Sequence, residues 1–195
     1  MKKIILIVAL MGSPTAFAGA FDDHYYVMID GGIEYTAHSK FSGTTSDDIS
    51  HAKFFGGLAT GYSFKISPKI NLGANVFFNM ANNGNTSSST ISVTTRNNLG
   101  FSVEPGYYLN DKALAYAKIG YARMNAKLDD GHVAASNPLD GYLVGVGFKY
   151  LLDESAFVGA EVVHYEYGDN TVQLSSLTTY KADQNVGLIT LAFQF

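Results

Sequence analysis

The chain has 195 residues, no cysteine, no tryptophan and a formal net charge of −4. The missing cysteines exclude a disulfide scaffold, a thiolate metal centre, a cysteine nucleophile and an acylated lipoprotein anchor. The acidic balance argues against nucleic acid as a partner, and 47% apolar content excludes disorder. Charged residues make up only 15%, beside 13 Tyr, 13 Phe and 20 Gly. That low charge, with no long apolar run, is what the fold has to explain.

Residues 1–18 read as a secretory signal. Lys2 and Lys3 are followed by the apolar run Ile4 to Met11, and Ala16-Phe17-Ala18 supplies a small-x-small cleavage pattern. Cleavage is expected after Ala18, with Ala20 as second choice, leaving residues 19–195 as one domain. Eight apolar residues are too few to span a bilayer as a helix, which needs about 20. No later stretch is long enough either.

The rest of the chain alternates with period two. Eight strands are expected, at about 24–36, 52–64, 70–80, 91–109, 113–128, 141–150, 156–167 and 184–195. In the first, Tyr25, Val27, Ile29, Ile33 and Tyr35 oppose Tyr26, Met28, Asp30 and Glu34. In the sixth, Tyr142, Val144, Val146, Phe148 and Tyr150 oppose Gly145, Gly147 and Lys149. Tight turns are expected at 66–69, 110–112 and 151–155. They alternate with long polar loops at 37–51, 81–90, 129–140 and 168–183. The seventh strand resists one parity, because Glu161 falls on one row and His164 and Glu166 on the other. A β-bulge near Val162-Val163 would reconcile them, as would one of these charges lying above the membrane.

A soluble β-sandwich alternates in the same way. Three features favour a membrane barrel: strands of about ten residues, a polar row too poor in charge for a solvated face, and Tyr and Phe gathered at strand ends as interfacial girdles. In hydrocarbon every peptide group must be paired, so such a sheet must close. The fold class expected is all-β, an eight-stranded antiparallel up-and-down transmembrane barrel with both termini on the periplasmic side.

The C-terminal Leu191-Ala192-Phe193-Gln194-Phe195 is similar to the terminal signature of bacterial outer-membrane barrels. With the leader and eight strands, the chain resembles the small barrels grouped around the OmpA transmembrane domain, OmpX/Ail and the opacity-type proteins. His164-Tyr165-Glu166-Tyr167-Gly168-Asp169 is similar to the Tyr-rich penultimate strand of the opacity-type group. The resemblance implies the Gram-negative outer membrane. It also implies contact with its lipids and lipopolysaccharide, and recognition by the barrel assembly machinery through Phe195, Phe193 and Leu191.

Eight strands leave an interior just wide enough for side chains. The inward row is read as mostly Gly, Ser, Asn and isolated charges, forming a polar plug. A three-residue turn centred on Asp111 sets Leu109 against Ala113 and therefore Glu104 against Lys118. That predicts an interior ion pair. Asp30, Glu34, Lys53 and Lys149 are the other expected interior charges, acting as plug or as gate.

No catalytic, cofactor or metal site is expected. The five histidines lack ligand spacing, there is no Gly-x-Ser-x-Gly elbow, and the glycines lie on strands. The leading expectation is a non-enzymatic surface barrel, structural or adhesive, whose long loops contact a host or surface ligand. A small low-conductance porin is the alternative, and a lipid A-modifying enzyme the weaker third. Leu174, Leu177 and Tyr180 suit either a binding patch or a strand extension.

Overall fold

The computed structural model describes residues 21–42, 45–82, 86–88, 91–129, 134–168, 170–173 and 177–195. The signal expected at 1–18 lies outside the described residues. Ten strands occur: β1 (His24–Ser42), β2 (Thr45–Ser67), β3 (Ile70–Asn82), β4 (Thr86–Ser88), β5 (Ile91–Asn110), β6 (Ala113–Asp129), β7 (Ala134–Asp153), β8 (Ala156–Tyr167), β9 (Asn170–Gln173) and β10 (Leu177–Gln194). Among the described residues there is no helix.

Eight strands pair antiparallel in the order β1-β2-β3-β5-β6-β7-β8-β10, and β10 pairs back onto β1. That seam runs from Tyr26 opposite Gln194 to Phe41 opposite Thr179 without a shift. The sheet is therefore closed, as hydrocarbon requires. The short β4 and β9 pair with β5 and β10.

Alternation sorts the side chains. Tyr25, Ile29, Ile33, Leu58, Val76, Leu99, Phe101, Ile119, Val144, Val146, Val162, Ile189 and Leu191 face outward and are exposed. An apolar outer face is unfavourable in water and suited to acyl chains. Aromatic rings bound this band at both ends. At the turn end, Tyr25 and Tyr62 lie 4.6 Å apart, as do Tyr62 and Phe64. At the other end Phe101, Tyr121 and Tyr142 stand directly opposite one another across three strands. Tyr142 and Tyr150 mark the two ends on β7, about 26 Å apart at ~3.3 Å per residue.

At the turn end, β2 and β3, β5 and β6, and β7 and β8 join through two-residue connections. The expected three-residue turn at 110–112 is one of these: Asn110 pairs with Ala113, and a register shift at Leu109 follows. The Asn110 side chain accepts the Lys112 N–H at 2.9 Å, which closes the shorter turn. Asp153 caps the third turn, accepting the Ser155 N–H at 2.8 Å, and these bonds hold its carboxyl below the usual carboxylate range.

The long loops expected at the opposite end are largely paired strand. β1 and β2 stay in register up to Ser42 opposite Thr45, and β6 and β7 up to Asp129 opposite Ala134. β9 pairs with β10 inside the expected loop 168–183. These segments are rich in Ser, Thr and Asp, of which only Thr favours a pleated ladder. Pairing satisfies their peptide groups once the barrel has set them side by side.

Of the two readings open for the seventh strand, the bulge near Val162-Val163 is absent. β8 pairs with both neighbours from Phe157 to Glu166 in one register, the one shift against β7 falling at Ala156 beside the turn. Val163 faces inward and is buried while Val162 faces outward. His164 and Glu166 keep the outward parity and lie at the aromatic girdle, where polar side chains reach headgroups.

A charge at the middle of the outer band tests this arrangement. Val146, 64% exposed between the two girdles, is expected to cost about 2–4 kcal/mol when replaced by Arg. Asn125→Arg, above the upper girdle, is expected to cost about 1 kcal/mol or less. Reversible urea unfolding in phospholipid vesicles measures both, and equal costs would contradict the membrane placement.

Candidate functional site

The interior is the best-defined site. Gly, Ser and Asn recur on the inward row, and their small size lets large residues on neighbouring strands cross the lumen. A Cβ on Gly147 would lie 2.3 Å from the Tyr116 ring, and one on Gly61 2.7 Å from the Tyr26 hydroxyl. Both tyrosines are thereby admitted to the centre, where both are buried.

Four charges meet at mid-height. Glu104 on β5 lies between Val103, which pairs with Ile119, and Gly106, which pairs with Tyr116. That register sets Glu104 opposite Lys118 on β6, with Lys118 Nζ 3.2 Å from Glu104 Oε1. Lys118 Nζ also lies 2.6 Å from Glu161 on β8. Lys149 on β7 reaches across the lumen to Glu104 Oε2 at 2.6 Å. Each carboxylate side chain is 2% exposed. The Tyr116 hydroxyl donates to Glu161 at 2.7 Å.

Lys149 is further enclosed by rings. Its Nζ lies 4.7 Å from the Tyr116 centroid, 5.1 Å from Tyr26 and 5.6 Å from Phe157. Ring faces attract a desolvated ammonium, so the cage recovers part of the hydration Lys149 loses. Asp30, on β1, accepts from Thr190 Oγ1 at 2.5 Å. The cavity shared by Asp30, Glu104, Lys118, Lys149 and Glu161 is about 20 Å³, room for about one water.

A second polar layer lies toward the hairpin end. Gln184 donates to Glu34 at 3.1 Å, Tyr167 donates to Gln184 at 3.3 Å and Asn98 donates to Tyr167 at 2.8 Å. The cavity there is about 10 Å³. At the turn end Phe21 is buried, its ring 5.3 Å from Phe157 and 6.2 Å from Tyr108. Tyr108 donates to Asp22 at 2.5 Å, and Lys65 binds the other Asp22 oxygen at 2.7 Å.

Of the charges expected inside, Asp30, Glu34, Glu104, Lys118 and Lys149 point inward and lie in these layers. Lys53 stands opposite Glu34 in the β1–β2 register, and its side chain lies outside the described residues. Phe195, Phe193 and Leu191 face outward.

Sequence reasoning missed Glu161 as the second partner of Lys118. With Val162 and Val163 both apolar, its strand carried no parity. It also missed Lys149 as a partner of Glu104, because β5 and β7 are not neighbours and a contact across the lumen has no register. The inward row is also more apolar than expected. Phe55, Phe77, Tyr116, Met124, Leu143, Phe157, Tyr165 and Val186 are buried within it. Gly, Ser and Asn alone do not fill an eight-stranded lumen, and close packing requires the larger residues.

The profile of the outer membrane protein beta-barrel domain family matches residues 4–195. The chain belongs to that family, and its place is the Gram-negative outer membrane. Three solved structures are similar in fold. Ail, the attachment invasion locus protein of Yersinia pestis, superposes with a TM-score of 0.55 at 12% identity, over 89% of this chain and 99% of that one. OprG from Pseudomonas aeruginosa gives 0.53 at 14% identity, over 92% and 99%. Neisserial surface protein A gives 0.52 at 14% identity, over 85% and 95%. No curated protein sequence matches the chain significantly.

The layers differ in what they contribute to stability. Lys149→Met leaves Glu104 with one cation in a buried site and is expected to cost about 3 kcal/mol or more. The double variant Glu104→Gln/Lys149→Met is expected to recover part of that loss. Lys65→Met removes a half-exposed pair and is expected to cost about 1 kcal/mol or less. Urea unfolding of the three refolded variants checks the order.

Proposed function

We propose that this protein is a closed, non-enzymatic surface barrel whose paired hairpins form its recognition surface. The filled lumen carries the reading. The two described interior cavities, of about 20 and 10 Å³ with Asn79 and Tyr165 between them, leave room for single waters rather than a solute path. Phe21 and Asp22 close the turn end as well. The hairpins extend the barrel wall beyond the upper girdle, and loops on a rigid scaffold are where binding commonly sits. Ail, a similar fold, is known in complex with the heparin analogue sucrose octasulfate. Here the outer segments 37–51, 81–97, 124–140 and 168–183 carry four basic residues, Lys40, Arg96, Lys127 and Lys181, against seven aspartates. That balance favours a neutral or basic partner over a sulfated polyanion. Phe195, Phe193 and Leu191 are assigned to recognition by the assembly machinery, and residues 1–18 to a cleaved leader.

A narrow gated pore is the second reading, supported by one observation. Lys118 touches both Glu104 and Glu161, so it can move toward either without leaving its charge unpaired.

Planar-bilayer recording separates the two. Refolded protein, identified by its shifted mobility before boiling, is expected to leave the membrane silent. Discrete openings whose conductance changes in Glu104→Gln would establish the pore instead. Lipid A from cells with and without the gene is expected to be identical in composition; a difference would return the enzyme reading.

A further inference from the structure

The turn end of the barrel holds a segment that is no part of its wall. Residues 21–23 precede β1 and take no place in its ladder. Residues near a terminus usually stay poorly ordered unless they are tied down, yet Phe21 is 3% and Asp22 9% exposed. Asp23 has a φ of 56°, a left-handed conformation that Asp adopts more readily than most residues. Its carboxylate accepts the Lys65 N–H at 3.2 Å, so the chain is turned back over the mouth. Four strands then hold two residues. Lys65 on β2 and Tyr108 on β5 each bind one oxygen of Asp22, at 2.7 and 2.5 Å. Asn71 on β3 donates to the Phe21 carbonyl at 3.3 Å and to Asp22 at 3.5 Å. Phe157 on β8 stands edge-on to the Phe21 ring at 5.3 Å, and Tyr108 lies along it at 6.2 Å.

These contacts divide by chemistry. Lys65, Tyr108 and Asn71 offer three donors to a carboxylate, while Phe157 and Tyr108 form an apolar slot for a ring. An apolar slot with a few convergent polar groups is the usual form of a small-ligand site. All four residues stand on paired strands, so the wall sets their positions. Closing the mouth by itself calls for no charge, since apolar residues fill such a space at least as favourably as a buried ion pair. A carboxylate met by an ammonium and two neutral donors is what recognition of an acid requires. Phe21 and Asp22 make these contacts through a ring, a carboxylate and one carbonyl, groups that a separate molecule can carry. Their tether to β1 presents them at an effective concentration on the order of millimolar.

We infer that the turn-end mouth is a binding site for a ligand that joins an aromatic ring to a carboxylate, and that Phe21 and Asp22 occupy it as the chain's own competing ligand. Small aromatic acids share this chemistry with peptide segments in which an aromatic residue precedes an acidic one. The inference concerns the turn end alone. It does not depend on what the hairpins bind or on whether the lumen conducts.

Isothermal titration of the refolded barrel in detergent tests it, with folding verified by the shifted mobility before boiling. The probes are the blocked dipeptide phenylalanyl-aspartate, its phenylalanyl-asparagine counterpart, and phenylpropionate. The wild type is expected to bind none of them, because its own segment fills the site. Phe21→Gly/Asp22→Gly, which empties the site, is expected to bind one copy of the aspartate dipeptide, about tenfold more tightly than the asparagine one, the margin a hydrogen bond to a charged group allows. Lys65→Met in that background is expected to weaken the aspartate dipeptide by about tenfold and to leave the asparagine dipeptide unchanged. Asp22→Asn, which keeps the ring but gives up the charge, is run beside it. It is expected to bind the aspartate dipeptide more weakly than the emptied variant does, with the same preference, so a misfolded double variant still leaves a readout. No binding by either variant overturns the inference, as does equal binding of the two dipeptides or binding by the wild type equal to that of the variants. Phenylpropionate bound as tightly as the aspartate dipeptide identifies small aromatic acids as the ligand class. Binding of the dipeptide alone identifies a peptide segment.

Discussion

Hydrocarbon offers a peptide N–H no water to bond, and an unpaired one costs several kcal/mol. Everything in this protein follows from meeting that demand with strands. The last strand must return to the first, and β10 does so along sixteen consecutive residue pairs from Tyr26–Gln194 to Phe41–Thr179. Once the sheet closes, its two faces are no longer equivalent. One meets acyl chains and the other encloses a volume set by eight strands. The usual order of a soluble sheet is then inverted, with Ile, Val, Leu and Phe outside and Glu, Lys, Asn and Ser inside.

The enclosed volume sets the second demand. Charges placed in it lose water, and each needs a partner. Glu104, Lys118, Glu161 and Lys149 meet this by chaining across four strands, while Tyr26, Tyr116 and Phe157 surround the ammonium that has a single carboxylate within bonding reach. Small residues on the inward row make that chain sterically possible, since side chains from facing strands must share one narrow lumen. Filling the lumen and neutralising it are thus achieved by the same residues, which is why the interior leaves room for little more than isolated waters. The protein's exchange with its surroundings is left to the hairpins and the turn-end mouth.

Much of this was legible beforehand because period two is a strong and local signal. The outward rows of β1, β3, β5, β7 and β10 could be read directly. So could the pairing of Glu104 with Lys118, although the turn that produces it has two residues and a bulge rather than three. Both routes shift the register by the same amount, so the prediction was insensitive to the detail. The strand in which apolar residues occupy both rows was not legible. In β8, where a bulge and a charge lying above the membrane were both open, the ladder runs unbroken past Val162-Val163, and the outward His164 and Glu166 are accommodated by their height at the girdle, a coordinate the sequence does not carry. The polar segments read as loops failed for a related reason. Their composition is that of loops, but anchoring on a closed barrel sets them side by side and makes pairing favourable.

The sequence by itself determined the class, the strand number, the inside-outside parity of most strands and one cross-strand ion pair. Each depends on residues close in sequence or on neighbouring strands, where alternation and turn length convert directly into geometry. Only the tertiary structure decided which charges meet across the lumen and that aromatic side chains complete the plug. Those contacts join strands by curvature and closure, and the shape of a closed sheet is a property of all its pairings together.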